Sequence, residues 1–216
     1  MYKHILFDLD GTLTDPAAGI ISSLRHALAQ MGVDEEDEEK FRLFIGPPLK
    51  DSFRTMYAFS EEQVDQAIAI YREHHGVSGL YENKVFPGIR EMLADLRADG
   101  RKLYVATTKM TAFAELILKH FALDTYFTKI VGGHPDGTRT AKAEIIADIL
   151  QDIPQAERQA VVMVGDRMFD VVGANAQGID AIAVTYGYGQ EEELQAENPT
   201  HIAHSVAELV TILRQV

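Results

Sequence analysis

Two carboxylates, Asp8 and Asp10, follow the apolar run Ile5-Leu6-Phe7 directly and lead into Gly11-Thr12. Side chains of an extended segment alternate faces, so both acids point the same way at the end of a first strand. At about 4 Å and an effective dielectric near 20 such a pair repels by roughly 4 kcal/mol, which calls for a proton, a cation or a reaction. Thr107-Thr108-Lys109, Lys142, and Gly165-Asp166 with Asp170 stand after three later apolar runs. In a parallel sheet such strand ends meet on one rim, where α/β proteins bind ligands. Magnesium prefers carboxylate oxygens and retained waters, and Asp8, Asp10 and Asp166 can supply the carboxylates. Lys142 and a threonine hydroxyl suit a phosphate-like anion. Together they fit phosphoryl transfer, where catalysis is largely positioning plus neutralisation of charge.

The elements that must hold these residues are legible from period and punctuation. Lys3 to Phe7 reads as a buried strand. A helix carries Ile20, Ile21, Leu24, Ala27, Leu28 and Met31 and closes at Gly32; Asp34 is expected to cap a second, with Phe41 and Phe44. Pro47-Pro48 opens a third helix with Leu49, Phe53 and Met56, and the capping box Ser60 to Gln63 opens a fourth with Val64, Ala67, Ile68 and Tyr71. From Pro16 to Asn83 no convincing strand is found, so this helical block reads as an insertion. Beyond Phe86-Pro87-Gly88 helices and strands alternate. Strands are expected at Lys102 to Ala106, Thr128 to Val131, Ala160 to Val164 and Asp180 to Val184, with a weaker one at His201 to Ala203. The helices between them carry Ile89 to Leu96, Phe113 to Ile117, Ile145 to Ile149, Met168 to Gln177 and, last, Val206 to Leu213. The expected class is α/β, a parallel sheet covered on both faces.

Composition bounds the function. The chain has 216 residues, 46% of them hydrophobic, and a formal charge of −13. That charge disfavours a nucleic-acid polymer as partner, because such binding needs Lys and Arg against phosphates. No apolar run is long enough for a spanning helix and the start leaves no room for a signal peptide, so no membrane association and a cytoplasmic location are expected. Without cysteine there are no thiolate sites. The acidic runs Asp34 to Glu39 and Glu191 to Glu193 read as solvated helix starts. His74-His75 and His134 lack a zinc-ligand spacing, and Tyr186-Gly187-Tyr188-Gly189 reads as a loop rather than a dinucleotide fingerprint.

Taken singly, Asp8 to Gly11 could be a turn, Asp166 a helix cap and Lys142 a solvated lysine. In order, each at a strand end, they resemble the four motifs of the haloacid-dehalogenase-like phosphatase superfamily over nearly the whole chain. The first is Asp8-Leu9-Asp10-Gly11-Thr12, the second Thr107, the third Lys142 in Thr138 to Glu144, the fourth Gly165-Asp166-Arg167-Met168-Phe169-Asp170. The resemblance implies a Rossmann-like parallel-sheet core, residues 1–15 and 85–216, with an inserted α-helical cap, residues 16–84, hinged near Thr14 to Gly19 and Tyr81 to Gly88. It implies Asp8 as nucleophile and Asp10 as general acid and base. Thr107 would bind the phosphoryl group, with Thr108 where many relatives have Asn, and Lys142 is preferred to Lys129 although the proline often following it is absent. Magnesium would be held by Asp8, the Asp10 carbonyl, Asp166 and, directly or through water, Asp170. In the cap, Gly46 to Lys50 would lie over the site, with Lys50 and Arg54 meeting the substrate's far end. Gly-Pro-Pro-Leu and the Tyr-Gly loop are similar to the phosphoglycolate-phosphatase and 5′-nucleotidase-like branch. The implied activity is hydrolysis of a small phosphorylated metabolite, phosphoglycolate or a nucleoside monophosphate, through an aspartyl-phosphate. A phosphomutase of the β-phosphoglucomutase type and a noncatalytic phosphometabolite-binding protein are the alternatives.

Overall fold

The computed structural model describes residues 1–136, 138–139 and 141–215. The first strand, β1 (His4–Phe7), is buried along its whole length, as a central parallel strand must be. A short strand β2 (Thr14–Asp15) then leads into a unit spanning Asp15–Lys84. Here α1 (Ala17–Gln30) buries Ile20, Leu24, Ala27 and Leu28. The chain turns out of it at Gly32, whose φ of 75° lies where side chains are disfavoured. The second helix, α2 (Glu38–Arg42), departs from expectation: its cap is Asp37, which accepts from the amides of Glu39 and Lys40. Asp34 lies a turn too early. Nor is the acidic run merely solvated, because Glu35 pairs with Lys40 at 2.5 Å and accepts from the Tyr57 hydroxyl at 3.3 Å. After Pro48 comes α3 (Leu49–Tyr57), then α4 (Glu61–His74) behind the expected capping box of Ser60 and Gln63. One π-helical turn, His75–Gly79, precedes β3 (Lys84–Val85), which pairs with β2.

The other unit comprises Met1–Thr14 and Val85–Val216. In chain order it continues with α5 (Ile89–Ala98), β4 (Lys102–Met110), α6 (Thr111–His120), β5 (Phe127–Gly133) and α7 (Lys142–Gln151). Next come β6 (Val161–Gly165), α8 (Met168–Gln177), β7 (Asp180–Val184), α9 (Glu191–Ala196), β8 (His201–Ala203) and α10 (Val206–Gln215). Six strands form one parallel sheet in the order β5-β4-β1-β6-β7-β8. Two strands were expected shorter: β4 runs past Ala106 to Met110 and β5 past Val131 to Gly133. Their ladder continues with a register shift, pairing Met110 with Gly133. Apolar pattern alone misses such polar strand ends.

Period two sorts the core. Leu6, Tyr104, Ala106, Met163, Ala181 and Ala183 share one packed layer with Ile145, Ile146 and Ile149 of α7 and Val171 and Ala174 of α8. Their neighbours Ile5, Phe7, Val105, Val164 and Val184 are equally buried, so both sheet faces are covered. Burying a side chain of this size contributes about 1.5–3 kcal/mol. The chain builds outward from β1 in both directions, so the crevice beside β1 is the topological switch point. Register brings the chemistry there. Phe7 lies opposite Val105 and Val164, which puts Asp8, Thr107 and Gly165-Asp166 on the same rim.

Candidate active site

At this rim Asp8 is buried and accepts from the Leu9 amide at 2.7 Å. Lys142, the first residue of α7, reaches back over the sheet edge. Its ammonium lies 3.0 Å from Asp8 Oδ1 and 2.8 Å from Asp170 Oδ1, and it donates to the Ala106 carbonyl at 2.8 Å. The ammonium thus makes two ion pairs and one hydrogen bond. Burial works against the charge of Lys142, yet Asp170 and Asp8 outweigh it and raise its pKa. The rival Lys129 lies on β5 and pairs with Asp148 at 2.7 Å and Asp152 at 2.8 Å, away from this cluster.

Asp166 is fully buried just beyond β6, where Thr12 Oγ1 donates to its Oδ1 at 3.0 Å and the Tyr188 amide to its Oδ2 at 2.9 Å. Burial first, then the charges of Asp8 and Asp170, pushes its pKa to about 8. Asp170, in the first turn of α8, accepts from the Arg167 amide at 3.1 Å. Its pKa is also raised, by burial and by Asp8 against the opposing pull of Lys142. Carboxylate oxygens of Asp8, Asp166 and Asp170 lie within 4.8 Å of one another.

Asp10 turns elsewhere. Its Oδ2 lies 2.7 Å from Lys109 Nζ, while its buried Oδ1 has no hydrogen-bond partner among the described residues. Burial raises its pKa, Lys109 opposing and Asp8 adding. Four carboxylates thus face two ammonium groups, a formal surplus of two negative charges. The donor set is hard and all oxygen, so a divalent cation fits the residues present.

Thr107 is buried, and its hydroxyl accepts from the Lys109 amide at 3.3 Å; Thr108 beside it is exposed. Lys50 and Arg54 belong to the other unit. Both are solvent-accessible on α3 and pair with Glu61, at 3.1 Å and 2.6 Å. Thr140, flanking the expected third motif, lies outside the described residues.

Three contributors were not expected. Lys109, placed at a strand end by the sequence but given no role there, is nearly enclosed and pairs with Asp10. Thr12, although within the first motif, had no role until its hydroxyl met Asp166. The Tyr186 to Gly189 loop wraps Asp166: a Cβ on Gly187 would lie 2.4 Å from both Asp166 Cβ and the Gly11 carbonyl. Tyr186, half-buried against Phe86, donates to the Thr12 carbonyl at 3.0 Å. The paired glycines were the available signal, since Gly marks close backbone approach. Gly11 is constrained likewise, with φ 86° and a virtual Cβ 2.1 Å from Asp166 Oδ2.

Comparison with known proteins agrees with this geometry. Residues 5–184 match the family model described as haloacid dehalogenase-like hydrolase. A 5′-nucleotidase of Pseudomonas aeruginosa is 48% identical over 98% of this chain and 96% of its own. A protein of Mycobacterium tuberculosis named tyrosine-protein kinase PtkA is 41% identical over 93% of this chain and 68% of its own. Among solved structures, a haloacid dehalogenase-like hydrolase of Streptococcus pneumoniae superposes with a TM-score of 0.91 at 34% identity, covering 98% of both chains. The chain belongs to the haloacid dehalogenase-like hydrolase family and is a phosphoric monoester hydrolase. Among the described residues no helix is long and apolar enough to cross a membrane.

Proposed function

We propose that the protein hydrolyses a small cytoplasmic phosphomonoester with magnesium, through a phosphoryl group carried on Asp8. The observation that carries this reading is the gathering of Asp8, Lys142, Asp166 and Asp170 around one point of surplus negative charge beside β1. The Asp8 carboxylate attacks phosphorus as the bond to the leaving oxygen breaks, and Asp10 gives that oxygen a proton. Asp10 then takes a proton from water attacking the acyl phosphate, which frees Asp8 and inorganic phosphate. Thr107 binds the phosphoryl oxygens, with Thr108 beside it, and Lys142 orients Asp8 while offsetting negative charge. Asp8, the Asp10 main-chain carbonyl, Asp166 and Asp170 would hold magnesium, which when bound neutralises charge on the transferred group. Residues 16–84 act as a cap over the reacting centre, and Lys50 and Arg54 are its candidates for reading the substrate's far end.

Nucleoside monophosphates are the first substrates to test, given the 48% identity to a 5′-nucleotidase, with phosphoglycolate second. A phosphate-release screen over these and pyrophosphate, with magnesium, should give turnover that Asp8→Asn lowers about a thousandfold or more. Release unchanged by Asp8→Asn would remove Asp8 as nucleophile. A second reading, transfer of the phosphoryl group to a protein tyrosine, draws on the 41% identity to the mycobacterial protein. Incubation with labelled ATP separates the two: label on tyrosine supports transfer, and free phosphate without an acceptor supports hydrolysis.

A further inference from the structure

Of the two lysines at the rim, Lys142 is taken up by ion pairs with Asp8 and Asp170 and a hydrogen bond to the Ala106 carbonyl. Lys109 faces a different acid. It stands near the end of β4, in the stretch where that strand outruns its apolar pattern, and its side chain is only 10% exposed. A lysine so enclosed needs an anion, and it has Asp10 Oδ2 at 2.7 Å. Its own amide donates to Thr107 Oγ1 at 3.3 Å, which fixes the backbone from which it reaches. The other Asp10 oxygen, Oδ1, is buried without a hydrogen bond among the described residues.

From this geometry we propose that Lys109 is a positioning residue for Asp10, holding Oδ2 so that Oδ1 is the atom that passes the proton. The inference rests on the acid–base role given to Asp10 above. A cation against Oδ2 stops the carboxyl from turning about its last bond and disfavours a proton on that oxygen. The proton on Oδ1 goes to the leaving oxygen as the phosphorus–oxygen bond breaks, leaving Asp10 anionic beside Lys109. Oδ1 then receives a proton from the water that attacks the aspartyl-phosphate. Lys109 keeps its three protons throughout. A lysine binding the phosphoryl group itself would serve every substrate alike, whereas one acting through Asp10 matters only where a proton must move.

The test compares leaving groups in single turnover with magnesium. Dinitrophenolate departs without a proton, while an alkyl alcohol needs one. Lys109→Met should slow alcohol release from glycerol phosphate about thirtyfold or more, yet slow the dinitrophenolate burst by less than about threefold. In an Asp10→Asn background the same substitution should have almost no further effect on alcohol release. Equal loss on both substrates, or an undiminished effect without the Asp10 carboxylate, would overturn the proposal and leave hydrolysis through Asp8 intact. If the wild type releases phosphate from neither substrate, the hydrolytic reading fails with it. Should Lys109→Met not fold, Lys109→Gln, which keeps a donor but no charge, is measured against the same two outcomes.

Discussion

The two ends of the central sheet both bury polar side chains, and they balance them differently. At the amino end His4, 1% exposed, uses both ring nitrogens: Nδ1 meets the Tyr104 hydroxyl at 3.1 Å and Nε2 meets Glu157 at 2.7 Å. The hydrogen bond from His4 holds the Glu157 carboxyl below its usual range. Tyr2 closes the same end by donating to Asp180 at 2.7 Å. Every one of these groups meets a partner. At the carboxyl end four acids share two lysines, two buried acid oxygens, Asp10 Oδ1 and Asp170 Oδ1, have no hydrogen bond among the described residues, and Asp166 is driven toward its neutral form. Satisfied polar clusters hold a fold together, while buried charge without balance marks a place that awaits a ligand.

Cation binding should alter this contrast most. In the cation-free protein the folded-state pKa of Asp166, about 8, lies above its unfolded value of 3.8. Between those values the folded state binds the extra proton, so stability falls as pH rises from about 4 to 8, by at most about 1.4 kcal/mol per pH unit for this group. Urea unfolding across that range should show the decline, and saturating magnesium should flatten it. A slope unchanged by magnesium would count against a cation at Asp166.

A smaller effect is expected from crowding the same carboxylate. Gly187→Ala puts a methyl group against Asp166 and the Gly11 carbonyl, which should destabilise the fold by about 1–3 kcal/mol. It should also weaken magnesium binding measured by calorimetry; unaltered binding would mean that the loop does not position Asp166. The smallest effect belongs to the amino end. Tyr104→Phe removes the hydroxyl partner of His4 and should cost about 1 kcal/mol of stability, with kcat within about twofold of wild type. A large loss of kcat there would break the distinction between the two ends.

Much of the fold was legible because its signals are local. The capping box at Ser60, the glycine stop at Gly32 and the apolar strand before Asp8 each act within a few residues. The cap of α2 differs from expectation because the run from Asp34 to Glu39 offers several acids, and pairing with nearby Lys40 and with the more distant Tyr57 claims Glu35. The polar ends of β4 and β5 were missed because hydrogen bonding between those two strands, rather than apolar pattern, extends them.

By itself the sequence determined which acids and lysines stand at strand ends, since alternation and punctuation depend only on neighbours along the chain. Tertiary structure alone decided how those charges divide. Lys142 lies far from Asp8 in the chain and 3.0 Å from it in space, Lys109 turns to Asp10, and a glycine loop near the end of the chain closes on Asp166. Such pairings follow from strand order and register, which bring together residues that no local pattern connects.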